Sequence, residues 1–177
     1  MTLSSPTYSN RQLTALLVLR MLIGWHLLYE GITKLWNPNW SAAGYLNDSG
    51  GLFKGMFEAM ASSPGLMEVV NFLNVWGLIF IGLGLLLGVA SRWATIAGIA
   101  LLGLYFLSHP PLIGLKYALP SEGSYLWVNK NLIEIVALVV LLLFPTSQIV
   151  GLDRFLRRNR AETSAVEAEA IQEKMHA

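Results

Sequence analysis

Between Leu13 and Trp36 the chain is almost continuously apolar, yet Arg20, His26, Glu30 and Lys34 stand inside that stretch. The run is long enough to cross the roughly 30 Å of a bilayer's hydrocarbon as a helix. A charge at the centre of such a helix costs about 2.5–3.5 kcal/mol on insertion scales. Four would consume much of the ~5–15 kcal/mol by which a whole domain is stable. The chain can carry them only where they pair inside the protein or line a working cavity. The first helix is therefore read as a candidate site as well as an anchor.

The rest of the sequence supports a membrane setting. Of the 177 residues 54% are hydrophobic and 13% are charged, with a mean hydropathy of +0.53, whereas soluble domains carry about 25% charged residues. Apolar stretches at 66–90, 93–115 and 126–150 follow the one at 13–36, and each can span as a helix. The expected fold is all-α: a four-transmembrane-helix bundle over 1–152, with an extracytoplasmic loop carrying a short interfacial helix. Residues 153–177 are expected to form a cytoplasmic charged tail. A formal charge of +1 gives no reason to expect nucleic acid. Cysteine is absent, which excludes thiolate nucleophiles, disulfide exchange, Cys-ligated zinc and iron–sulfur clusters within the chain. Met1 to Asn10 is polar and precedes no cleavage-site pattern, so the first helix is expected to remain as a signal anchor.

Basic residues set the expected orientation. Arg11, Arg92, Arg154, Arg157, Arg158 and Arg160 flank the helix ends that would share one side. By the positive-inside rule both termini are expected to be cytoplasmic, with the loop at 37–65 and the third connection outside. That loop opens with two aromatics around a turn, Trp36-Asn-Pro-Asn-Trp40. Phe53, Met56, Phe57 and Met60 then recur at one helical face. This predicts a short amphipathic helix lying on the outer surface, as an interfacial anchor or as a lid. Gly82, Gly84 and Gly88, with Ala94, Gly98 and Gly103, form small-residue strips suited to close helix packing inside the bundle, or alternatively to homodimerisation.

Polar residues gather in the outer half of the bundle, with His26 near the middle of the first helix and little beyond Arg20 in the inner half. At about 100° per residue, Arg20, His26, Glu30 and Lys34 fall on one face of the first helix. The fourth stretch begins Asn129-Lys130-Asn131-Leu-Ile-Glu134, and the second supplies Glu68, Asn71 and Asn74. The third ends at His109-Pro110-Pro111, where the prolines stop regular helix. A polar pocket opening outward is expected, in which these charges either fix packing or bind a ligand and handle protons. His26 and His109 could in principle ligate haem, but their depths differ and no spacing motif supports it, so haem is not expected. No metal-ligand spacing, nucleotide loop or Ser/His/Asp arrangement occurs.

Three segments resemble the DoxX/DoxD membrane protein family. They are Arg20-x-x-x-Gly24…Glu30-Gly31-x-x-Lys34, then Trp40-Ser-Ala-Ala-Gly44-Tyr45-Leu46, then Asn129-Lys130-Asn131-Leu132-Ile133-Glu134. The loop is closest to the DoxD subunit of thiosulfate:quinone oxidoreductases. The resemblance implies a subunit in a bacterial or archaeal inner membrane that passes electrons from thiosulfate or another small reductant to membrane quinone. It also implies a small DoxA-like partner subunit, which is not fused to this chain. Quinone reduction consumes two protons with two electrons, so Glu30, Glu134 and His109 are the catalytic candidates. Arg20, His26, Lys34, Lys130 and Asn131 are the substrate-binding candidates. The alternative function is a non-enzymatic membrane scaffold or assembly factor.

Overall fold

The computed structural model describes residues 8–112, 114–118 and 126–154, so most of the expected tail at 153–177 lies outside the described residues. Six α-helices follow one another: α1 (Asn10–Trp36), α2 (Ala43–Asn47), α3 (Lys54–Ala61), α4 (Pro64–Leu87), α5 (Ser91–Ser108) and α6 (Lys130–Leu143). A 3₁₀ turn, Gly51–Phe53, precedes α3, and there is no strand among the described residues. Helices α1, α4 and α5 are each long and apolar enough to cross a membrane.

Two helices are shorter than the apolar runs that predicted them. Helix α5 stops at Ser108 rather than near 115, because neither Pro110 nor Pro111 can donate a backbone hydrogen bond. Helix α6 covers 14 residues within the run 126–150, about 21 Å at 1.5 Å per residue. It begins at Asn129, whose side chain accepts from the Leu132 amide, and ends before Pro145.

Helices α1 and α4 share the most extensive interface, followed by α5 with α6 and α4 with α5. Glycine makes the first of these possible. A Cβ on Gly82 would lie 2.5 Å from the Leu28 amide nitrogen and 2.7 Å from the Gly24 carbonyl oxygen. One on Gly31 would lie 2.7 Å from Ile79 Cγ1. The two backbones thus touch where any side chain would hold them apart. A Cβ on Gly84 would meet that of Ala94 on α5, and Gly88 ends α4 in the left-handed conformation against Gly151. Both glycines of the Gly84-Leu-Leu-Leu-Gly88 motif therefore serve packing within the chain. Leu27, Leu78, Leu85, Leu102 and Leu138 fill the core between the helices.

The end of the bundle carrying the α1 N-terminus and the α4–α5 turn is closed by residues 144–153. Arg20, only 3% exposed, donates to Thr146 Oγ1 at 2.9 Å and to the Val150 carbonyl at 2.8 Å. The Leu152 and Asp153 amides donate to the carbonyls of Leu87 and Gly88. Asp153 then accepts from the Ala90 and Ser91 amides at the α5 N-terminus, where a carboxylate satisfies orphan donors and complements the helix dipole. Arg20 and Asp153 are thereby tied into the architecture.

The opposite end carries the loops. Phe57 on α3 is buried against Ala42, Leu46 and Met67, with Met60 packed beside them. Phe53 and Met56 remain 40% and 48% exposed. The apolar face read as one stripe is thus divided between the loop's own small core and the surroundings.

Candidate functional site

A cavity of about 920 Å³ opens among α1, α4, α5, the start of α6 and the loops at this end. Helical spacing of four puts His26, Glu30 and Lys34 on the α1 face that lines it. Helix α4 supplies Asn74 and Leu78, and α5 supplies Leu102 and Tyr105, with His109 just beyond its end. Trp40 and Tyr45 enter from the loop after α1, and Asn129, Lys130 and Asn131 from the start of α6. The deeper wall of Leu27, Leu78 and Leu102 belongs to the bundle core. A smaller recess of about 240 Å³, lined by Pro111, Leu112, Leu126 and Trp127, carries no ionisable group.

Lys34 is the most heavily engaged group in the cavity. Its ammonium donates to Asn74 Oδ1 at 3.1 Å and lies 3.7 Å from Glu30 Oε2. It also sits over the rings of Trp40 and Tyr105, 5.3 and 5.6 Å from their centroids, within reach of a cation–π attraction. Asn74 Nδ2 donates onward to the Tyr105 hydroxyl at 2.7 Å. The result is a polarised chain from a cation through an amide to a phenol.

On the α6 side, His26 Nδ1 lies 2.9 Å from Glu134 Oε1. The distance suits an ion pair, but the approach is off the alignment of a hydrogen bond. His26 Nδ1, and separately Glu134 Oε2, are buried without a hydrogen-bond partner among the described residues. Glu134 does not line the cavity; it stands behind His26, which does.

At the mouth, His109 stacks on Tyr45 with centroids 3.9 Å apart and leans on Tyr117 at 4.6 Å. Its Nδ1 shares a 2.9 Å hydrogen bond with Ser108 Oγ, and Nε2 lies 3.8 Å from Asp48 Oδ2. Burial pushes the His109 pKa below its ordinary 6.5, an effect that Asp48 only partly offsets. Burial, aided by the nearby Tyr117, pushes the Tyr45 phenol up to about 12. Tyr117 is raised by burial and then by Asp48. At neutral pH His109, Tyr45 and Tyr117 therefore stand at the mouth as uncharged aromatic hydrogen-bonding groups beside the Asp48 carboxylate. Among the described residues the cavity lining carries the charges of Lys34, Lys116, Lys130 and Glu30, with the Glu134 and Asp48 carboxylates immediately behind it.

Of the residues singled out from the sequence, Glu30, Lys34, His26, His109, Lys130 and Asn131 line this one cavity. Glu134 contacts it through His26, whereas Arg20 lies at the opposite end of the bundle. Tyr105, Tyr117 and Asp48 went unnoticed in the sequence. An aromatic at the end of an apolar run reads as membrane-interface filler, and only the long-range approach of Asn74 gives Tyr105 a polar role. No group of three or more His, Asp or Glu side chains suited to a metal ion occurs among the described residues.

Comparison with curated proteins and with solved structures returned no significant match. The family profile named DoxX matches residues 15–110, more than half of the chain. That span contains most of α1, the loop helices, α4 and α5, and with them most of the cavity wall. With its apolar helices and this match, the chain belongs to the DoxX family of membrane proteins.

Proposed function

We propose that the chain is the membrane subunit of a quinone-linked oxidoreductase and that a quinone headgroup occupies the cavity at the loop end. The observation that carries this reading is the lining itself. Flat aromatic side chains (Trp40, Tyr45, Tyr105) suit a planar ring, and Lys34 with Lys130 suits oxygens that gain negative charge on reduction. Glu30, His26 backed by Glu134, and His109 provide proton-exchanging groups. Quinone takes up two electrons and two protons to become quinol; the electrons come from thiosulfate or another small reductant, directly or through a DoxA-like partner.

In the same reading the chain crosses the bilayer four times, with both termini cytoplasmic. Helix α6 alone is too short for a full crossing, and residues 144–153 complete it. Non-helical backbone at membrane depth needs its polar groups satisfied by protein; here Arg20 and the carbonyls of Leu87 and Gly88 do so. A reporter active only outside the cytoplasm, fused after Ala177, should stay silent; a strong signal would refute this topology.

The other reading is a non-enzymatic scaffold. It is favoured by the purely architectural use of Arg20 and Asp153 at the opposite end. Purified protein should yield extractable quinone and reduce added quinone when supplied with one of a panel of small donors and the products of neighbouring genes. Protein free of quinone and inactive with every donor would leave the scaffold.

A further inference from the structure

The hydrogen bonds around Asn74 have only one consistent direction. An ammonium donates and never accepts, so Lys34 at 3.1 Å must face the amide oxygen. The orientation of Asn74 is thereby settled, and its NH₂ group points at the Tyr105 hydroxyl 2.7 Å away. An amide NH₂ likewise only donates. The Tyr105 oxygen is therefore an acceptor in that bond, and the phenol's one proton must point elsewhere. Among the described residues no hydrogen bond takes it. Tyr105 otherwise meets the Tyr45 ring edge-on and the Lys34 ammonium over its own ring, its backbone carbonyl accepts from the Tyr45 hydroxyl, and Glu30 lines the same cavity without a hydrogen bond to it. Tyr105 lines the cavity. A hydroxyl that already accepts from a polarised amide is a stronger donor, since successive hydrogen bonds reinforce one another.

We infer that the Tyr105 hydroxyl is the fixed donor that holds an acceptor oxygen of the cavity's ligand, a quinone carbonyl on the proposed function, on which this inference rests. Lys34 then acts on that oxygen through Asn74 and Tyr105, in addition to its field. The position selects a ligand oxygen over a ligand N–H, because Tyr105 has a proton to give and its acceptor side is taken. Asn74 is a positioning residue that sets the direction of the phenol.

Two variants separate direction from mere presence. Tyr105→Phe removes the hydroxyl. Asn74→Asp leaves the hydroxyl in place, but its carboxylate accepts from both Lys34 and Tyr105 and so turns the phenol proton away from the cavity. Decylubiquinone affinity and the infrared carbonyl stretch of the bound quinone are measured on the purified full chain, with thermal unfolding as the check on folding. The wild type should shift one carbonyl band to lower frequency. Both variants should lose that shift and bind about tenfold more weakly, the scale of one lost hydrogen bond. Retention of the shifted band in either folded variant, or affinity within about twofold of wild type, overturns the inference while leaving quinone binding intact. Absence of decylubiquinone binding to the wild type overturns the quinone reading and this inference together.

Discussion

Glu30→Gln is expected to fold and insert like the wild type while quinone reduction falls by about 10²–10⁴-fold, the usual contribution of a general acid–base group. The substitution keeps size and hydrogen bonding but removes the charge and the exchangeable proton. Its structural cost should be small. The Glu30 side chain is 43% exposed and stands 3.7 Å from Lys34, and loose, partly hydrated pairs of this kind contribute about 0–1 kcal/mol. Lys34 keeps Asn74 and two ring faces as partners. Were Glu30 instead the essential counter-ion of a buried Lys34, the loss would appear as about 3–5 kcal/mol of stability. Turnover and thermal unfolding on the same preparation decide between the two. A folded variant with full activity would refute both.

Gly82→Leu should have the largest effect on the architecture. Its Cβ would lie 2.5 Å from backbone nitrogen and 2.7 Å from backbone oxygen on α1, atoms that cannot move aside as the tip of a flexible side chain can. Overpacking costs typically about 1–3 kcal/mol, occasionally more, and here α1 and α4 must separate. The same separation would pull Lys34 on α1 away from Asn74 on α4, so ligand binding should weaken along with stability. Gly77→Ala, on the same helix with open space around it, is the control, and should be neutral or stabilising by up to about 1 kcal/mol. Equal unfolding temperatures for Gly82→Leu and the wild type would mean that the two backbones do not touch.

The sequence carried the position of the cavity better than its chemistry. Glu30 and Lys34 share a face by helical spacing, and the Asn129-Lys130-Asn131 opening places the α6 polar groups at a matching level; these are local signals. Arg20 shares that face and its inner-half depth was legible, but its partners Thr146 and Val150, which make it architectural rather than substrate-binding, were not. Periodicity gives an angle around a helix and says nothing of which distant chain segment arrives there. The end of α6 was legible in Pro145 but was overridden by the apolar residues on either side. Tyr105 illustrates the remaining gap. Its role depends on Asn74, 31 positions earlier in the chain, and on a lysine from a third element. Such a relation arises only when Gly24, Gly31 and Gly82 let α1 and α4 close together.

Photolabelling in lipid bilayers with an azido-quinone, followed by mapping of the modified peptides, tests quinone occupancy of the loop-end cavity most directly. The expected label falls on residues 40–45 and around Tyr105, and excess unlabelled quinone should abolish it. Label spread over the exposed face of α4 at Phe72 and Phe80, undiminished by competitor, would contradict the account.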